Sequence, residues 1–203
     1  MITSKKFAGV LILTLNRPAK LNALNIEILE TLANALRLAA TDSSLSYLLL
    51  RGAGRAFCAG ADLHEVINRQ IPHYQTVARY LEQLVGELNA VIELVQDLPF
   101  PTCALLQGSA AGGGFALGLA MDYRIAAPDL HIRAGPGLLG GVPAGGCTYF
   151  LPRILGDSLA RNILLYDLQI EAQEALRLGI VDEILPLEWF QGSPEEIANT
   201  FIS

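Results

Sequence analysis

Hydrophobic residues along the chain form two patterns, short unbroken apolar runs and longer stretches with helical spacing. The short runs are typical of buried strands, and they predict strands at residues 10–15, 47–50, 102–106, 123–126 and 180–185. Apolar residues three and four positions apart predict helices, which we place at residues 26–40, 74–97, 158–166, 171–178 and 194–202. Strands that alternate with helices predict the α/β class.

Polar residues and glycines mark where these elements begin and end. Asn25 precedes the first helix as a plausible N-cap. Asp62, with Glu65 three residues later, resembles a capping box, so we expect a helix to begin at Leu63. Residues 133–146 contain six glycines and two prolines and predict a long loop.

Composition narrows the classes of partner. The 203 residues, 52% hydrophobic and 17% charged, predict one domain over residues 1–203 with a large core and an oligomer interface. A net charge of −6 argues against nucleic acid. The sequence contains no run of about 20 apolar residues, so we expect no membrane span. The first residues, MITSKKF, lack the apolar centre of a signal peptide. The three cysteines show no metal-ligand spacing and predict reduced thiols in the cytoplasm.

The most informative stretch is QGSAAGGGFALG at residues 107–118, between a predicted strand and a predicted helix. A glycine triplet is accepted in a helix start where the backbone must approach another group closely. One interpretation is close packing of the helix against a strand. The other is that free backbone N–H groups are presented to an anion or a developing oxyanion.

A second loop, FCAGADL at residues 57–63, has the same arrangement of strand, small residues and helix start. Each loop can present a backbone N–H, and we assign these donors to Ala59 and Gly113. Two convergent N–H donors suit an enolate or a thioester oxyanion.

With these two loops, GGVPAGGCTYFLPRILG and EAQEALRLGIVDEIL resemble the enoyl-CoA hydratase/isomerase, or crotonase, superfamily. The resemblance covers residues 10–185 and implies a spiral of ββα units, assembled as a homo-trimer or hexamer. It implies an acyl thioester of CoA, or less readily of a carrier protein, as the partner. CoA is then part of the substrate and no separate cofactor is expected.

The resemblance also assigns residues to the substrate. The thioester oxygen would lie between the N–H groups of Ala59 and Gly113. Residues along the CoA would come from FCAGADL and from RPAKLNALN near the start: Lys20, Ala23, Leu24, Ala61, Asp62 and Leu63. Asp62 serves equally well as a helix N-cap, and Lys20 as an exposed, solvated lysine.

The chain departs from the family at the two glutamates with which hydratases add water. The matching positions are Ala116 and Pro136, and neither can transfer a proton. Asp122 matches an aspartate that we interpret as structural. Other titratable side chains nearby are more simply packing or surface residues: His64, His73, Tyr74, Tyr80, His131 and Tyr149.

An intact oxyanion hole without carboxylates fits decarboxylation or isomerisation through an enolate better than hydration. The alternative is a catalytically silent acyl-CoA-binding or assembly subunit. Family members usually continue further at the C-terminus, so the resemblance implies that the C-terminal helical cover is short, absent or supplied by another chain.

Overall fold

The computed structural model describes residues 1–67, 77–135 and 142–202. The strands in these ranges are β1 (Ile2–Phe7), β2 (Val10–Leu15), β3 (Tyr47–Gly52), β4 (Thr102–Leu106), β5 (Ser109–Ala111), β6 (Tyr123–Ala126), β7 (His131–Arg133), β8 (Gln169–Glu171) and β9 (Glu183–Ile184). The helices are α1 (Ile26–Ala40), α2 (Leu63–Ile67), α3 (Val77–Gln96), α4 (Gly113–Leu119), α5 (Cys147–Leu155), α6 (Asp157–Tyr166), α7 (Ala172–Arg177), α8 (Leu187–Gln191) and α9 (Pro194–Ile202).

Six strands form the main sheet in the order β1-β2-β3-β4-β6-β9. Among the described strands of this sheet, β1 and β2 pair antiparallel, and all other neighbours are parallel. A smaller sheet, β5-β7-β8, contains one parallel and one antiparallel pair. Parallel strands joined through helices confirm the predicted α/β class.

The apolar runs that predicted strands are buried on both faces of the main sheet. In β2, Leu11, Leu13 and Leu15 face a large core with α1 and α3, whereas Val10 and Ile12 face a second cluster. Alternate side chains of a strand point to opposite faces, so an unbroken apolar run is required here. The second cluster is covered by α8 and α9, through buried residues such as Phe190 and Ile197.

Several elements were not predicted. The β1 sequence ITSKKF has four exposed residues and gains its strand form from antiparallel pairing with β2. The helix α5 contains Pro152 and follows two glycines, which both argue locally against a helix. The predicted strand 180–185 shrinks to β9, and residues 171–178 divide between β8 and α7.

Two further predictions concern the long helix and the membrane. The predicted helix 74–97 is α3 within the described part of the chain, and residues 74–76 lie outside it. Across the described ranges no helix has the length and apolar character needed to cross a membrane.

Candidate active site

The two glycine-containing loops are joined by a ladder of backbone hydrogen bonds. The N–H of Phe57 donates to the Gln107 carbonyl at 2.7 Å, and that of Cys58 donates to the Ser109 carbonyl at 3.0 Å. In return, the Ala111 N–H donates to the Cys58 carbonyl at 2.9 Å. Residues 57–63 therefore run beside the segment that enters α4, as the sequence predicted.

Two glycines make this approach possible. A Cβ added to Gly114 would lie 2.5 Å from the Cys58 carbonyl oxygen and 2.6 Å from both Cys58 Cβ and Sγ. A Cβ added to Gly60 would lie 2.8 Å from the Ala111 carbonyl oxygen and 3.7 Å from the Gly113 nitrogen. The packing interpretation of the triplet therefore holds for Gly114, and residue 60 lies directly against the start of α4.

The backbone N–H groups of the first loop have different partners. The Ala59 N–H donates to the Leu21 carbonyl at 3.0 Å, and the Asp62 N–H donates to the Leu24 carbonyl at 2.8 Å. For the N–H groups of Ala61 and Gly113, the described part of the chain contains no hydrogen-bond partner. The geometry therefore argues against the predicted Ala59 donor, whose N–H is used within the fold, and leaves Ala61 and Gly113 as open donors.

Asp62 is a buried member of this loop and is 3% exposed. Its Oδ1 accepts the Glu65 N–H at 3.2 Å, which confirms the predicted N-cap of α2. Its Oδ2 accepts a hydrogen bond from Arg17 Nη2 at 2.9 Å and lies 3.6 Å from Lys20 Nζ. Burial alone would raise the pKa of Asp62, but the Glu65 N–H, Arg17 and Lys20 together hold it below its ordinary value.

The capping box is only half formed. The Glu65 carboxylate accepts a hydrogen bond from Asn25 Nδ2 at 3.1 Å, while the Asp62 N–H has its partner in the Leu24 carbonyl. Asn25 also caps α1, because its Oδ1 accepts the Ile28 N–H at 3.0 Å. Glu65 thus links the start of α2 to the start of α1.

The remaining predicted substrate residues lie along the segment that enters α1. Lys20 has a 47% exposed side chain, whereas Ala23 and Leu24 are buried. Ala61 is half-buried, and Leu63 is exposed on the first turn of α2. The parallel bridge between Leu24 and Ala61 places the two predicted CoA-binding segments side by side.

This segment is held by Asn22, which the sequence reasoning missed. Asn22 is fully buried, and its backbone has a φ of 56°. Its Nδ2 donates to the carbonyls of Ala53 at 2.9 Å and Ala56 at 2.8 Å. Its Oδ1 accepts the Arg17 N–H at 2.9 Å. Asparagine tolerates this left-handed conformation better than most residues, and its presence in a polar turn was the available signal.

In the described part of the chain, Ala116 borders aliphatic side chains. Ala116 is fully buried, and a Cβ added to Gly145 would lie 2.7 Å from its methyl carbon, 2.8 Å from Leu88 Cδ2 and 3.3 Å from Ile92 Cδ1. The methyl group of Ala116 thus shares this space with two aliphatic side chains, none of which can carry a proton. Leu88 and Leu24 also border Gly113, whose added Cβ would lie 2.9 Å and 3.3 Å from their methyl groups. Pro136 lies outside the described residues.

The other titratable candidates are dispersed. His64 is exposed on α2, and His131 Nδ1 lies 3.3 Å from the Asp129 carbonyl oxygen, which can only accept a hydrogen bond. Tyr149 is 53% exposed under the Arg153 guanidinium, and Tyr80 is buried in the face of α3 that meets the core. His73 and Tyr74 lie outside the described residues.

Two groups near the loops are structural in this geometry. Asp122 Oδ2 accepts hydrogen bonds from Thr102 N at 2.8 Å and Thr102 Oγ1 at 2.9 Å, which confirms its structural interpretation. Cys58 is fully buried, its Sγ donates to the Asn22 carbonyl at 3.2 Å, and burial raises the pKa of its thiol to about 12. A thiol that stays protonated is not a nucleophile.

Comparison with known proteins supports the family resemblance that these loops suggested. The family model described as Enoyl-CoA hydratase/isomerase matches residues 5–202. The chain belongs to this family. The matched range includes both loops and every predicted substrate residue.

Individual relatives are similar over most of the chain. A Mycobacterium bovis protein named Probable enoyl-CoA hydratase echA12 is 36% identical over 180 residues, which is 87% of this chain and 62% of the relative. The crystal structure of an enoyl-CoA hydratase from Bacillus anthracis matches with a TM-score of 0.87 and 32% identity, over 99% of this chain and 76% of that one. The crystal structure of an enoyl-CoA hydratase from Bacillus halodurans matches with a TM-score of 0.84 and 29% identity, over 99% of this chain and 77% of that one.

These structures share the crotonase fold, so the predicted family fold is confirmed. The chain spans about 62% of the length of the curated mycobacterial relative it matches.

Proposed function

We propose that this chain binds an acyl thioester of coenzyme A and stabilises its enolate with the backbone N–H groups of Ala61 and Gly113. One observation carries this proposal. The two N–H groups have no partner in the described residues, and they lie on loops that glycines 60 and 114 bring into contact. Ala61 replaces Ala59 as the first donor because the Ala59 N–H is already used by Leu21. Preorganised donors of this kind stabilise charge that develops on a thioester oxygen.

The aliphatic neighbours of Ala116 favour decarboxylation over hydration. Isomerisation, the other predicted reaction, moves a proton from one carbon to another and would need a proton carrier from elsewhere in the site. Hydration needs a base for the water and an acid for the α-carbon, and the methyl groups of Ala116, Leu88 and Ile92 provide neither. Decarboxylation of a malonyl-type thioester needs no base. The bond between the α-carbon and the carboxylate breaks and CO₂ leaves. The electron pair of that bond stays with the α-carbon and forms the enolate, and a weak acid or water then gives one proton to the α-carbon.

The lack of a proton carrier among the aliphatic neighbours of Ala116 also favours a second candidate, a subunit that binds acyl-CoA without turning it over. A carrier-protein thioester remains a less favoured form of the ligand for either candidate. Both candidates use the same oxyanion donors, and they differ only in whether the bound thioester reacts.

Turnover separates the two candidates. Enoyl-CoA and malonyl-CoA thioesters are assayed by absorbance and by CO₂ release, beside thermal shift with CoA and with the same thioesters. Saturating ligand at about 100 times its dissociation constant should raise stability by roughly 2.7 kcal/mol. Binding with CO₂ release or isomerisation supports the enzyme, and binding alone supports the silent subunit. The absence of any shift at millimolar acyl-CoA would contradict both.

A further inference from the structure

Arg17 lies outside both loops but contacts the backbone and side chains that surround Ala61. Its Nη2 donates to Asp62 Oδ2 at 2.9 Å, and its Nη1 donates to the Ala23 carbonyl at 2.7 Å. The Arg17 side chain is 16% exposed and that of Asp62 is 2% exposed, so solvent screens this ion pair weakly.

The Ala61 N–H belongs to the peptide unit that also contains the Gly60 carbonyl. That carbonyl accepts the Leu24 N–H at 2.7 Å. A trans peptide unit is planar, with its N–H and C=O on opposite sides. The bond from Leu24 therefore fixes the direction in which the Ala61 N–H points.

The next peptide unit is fixed from the same side. The Asp62 N–H donates to the Leu24 carbonyl at 2.8 Å, so Leu24 holds the backbone both before and after Ala61. Arg17 in turn holds this arrangement at both ends, through the Ala23 carbonyl next to Leu24 and through the Asp62 carboxylate next to Ala61. One planar guanidinium satisfies both contacts, which a lysine ammonium cannot reproduce with the same geometry.

We propose that Arg17 is a positioning residue that, with Asp62, fixes the peptide plane whose N–H polarises the substrate carbonyl. This inference rests on the proposed function, since it assumes that Ala61 is a donor to the thioester. It assigns Arg17 no contact with the substrate.

The test uses the full chain and 4-(dimethylamino)cinnamoyl-CoA, whose absorption moves to longer wavelength when its carbonyl accepts hydrogen bonds. The variants are Arg17→Lys, which keeps the charge, and Arg17→Gln, which removes it. Arg51→Gln is the matched control. Arg51 is also a part-buried arginine that donates to two backbone carbonyls, of Phe190 at 2.7 Å and Gly192 at 3.1 Å, where α8 covers the other face of the sheet.

We expect the wild type and Arg51→Gln to show the full red shift of the bound probe. Both Arg17 variants should bind the probe but lose most of the shift, and any thioester turnover should fall by about tenfold to a hundredfold, because small misplacements carry penalties of that size. A purely structural role would instead change the melting temperature and leave the spectrum of the bound probe unchanged.

Asp62→Asn keeps the Arg17 inference testable if both Arg17 variants unfold. Asparagine retains an oxygen to cap the Glu65 N–H but loses the ionic partner of Arg17. A reduced red shift in folded Asp62→Asn supports the inference. A full red shift in folded Arg17→Lys, or in folded Asp62→Asn when neither Arg17 variant folds, overturns it and leaves the proposed function intact. A bound probe without any red shift in the wild type overturns the proposed function itself.

Discussion

Replacing Gly114 by alanine tests whether the glycine triplet is required for the two loops to meet. The added Cβ would lie 2.5 Å from the Cys58 carbonyl oxygen, where ordinary van der Waals contact begins at 3.4 Å, so backbone must move by almost 1 Å. Overpacking of this kind costs about 1–3 kcal/mol, and the rigid backbone neighbour places Gly114→Ala near the upper end. Alanine recovers up to about 1 kcal/mol through its higher helix propensity.

The net effect should be a loss of about 2 kcal/mol, which lowers the melting temperature of a chain of this size by roughly 4–8 °C. Gly86→Ala is the matched control in α3, because Gly86 is exposed and an added Cβ has no heavy atom within 4 Å. The control should instead gain up to about 1 kcal/mol and melt a few degrees higher. Circular dichroism melts of the three proteins give the comparison. A Gly114→Ala protein that melts at or above the wild type would refute the packing argument.

Four further predictions concern the donors, the chemistry, the pH dependence and the assembly. Gly113→Pro at the first residue of α4 removes one donor and should lower thioester activity by at least about a hundredfold. The control Gly113→Ala adds the same Cβ but keeps the N–H and should lose much less. Crotonyl-CoA hydration, followed by absorbance, should run at least about a thousandfold below an ordinary hydratase, and Ala116→Glu should restore little of it; a kcat/KM on the order of 10⁶ M⁻¹s⁻¹ would contradict this. Because the pKa of Asp62 is lowered in the fold, its stabilising contribution is complete above its unfolded pKa of about 3.9 and is lost as pH falls through the folded value; urea unfolding of Asp62→Asn should show a weaker acid dependence than the wild type, and identical curves would count against the Arg17–Asp62 pair. Sedimentation at micromolar concentration should show self-association, a trimer first, since α6 and the second residue after its end present Leu165, Tyr166 and Leu168 at 44–67% exposure; a monomer alone would contradict it.

The fold was predictable where the local pattern agrees with the tertiary environment. The run VLILTL of β2 must be apolar because both of its faces are buried, and the spacing within α1 follows its single buried face. In contrast, β1 is polar and is a strand only because β2 lies beside it. Similarly, α5 forms despite an internal proline, which no local signal indicates.

The sequence was sufficient to predict the two loops of the candidate site, but not which two backbone N–H groups are free to act as donors. Small residues marked where the backbone must approach closely, and Gly114 and Gly60 do so. The choice between Ala59 and Ala61 depends on which N–H the fold itself uses, and that is decided by Leu21 and Leu24 on a distant segment. The role of Arg17 depends on the same long-range contacts.

The central claim is that a thioester carbonyl is held between the N–H groups of Ala61 and Gly113. The most direct test is a crystal structure of the protein with an unreactive acyl-CoA analogue. We expect the carbonyl oxygen to lie within about 2.7–3.2 Å of both nitrogens, with the Ala59 N–H still bonded to the Leu21 carbonyl. An acyl-CoA bound with its carbonyl away from these two nitrogens, or directed at Ala59, would contradict it.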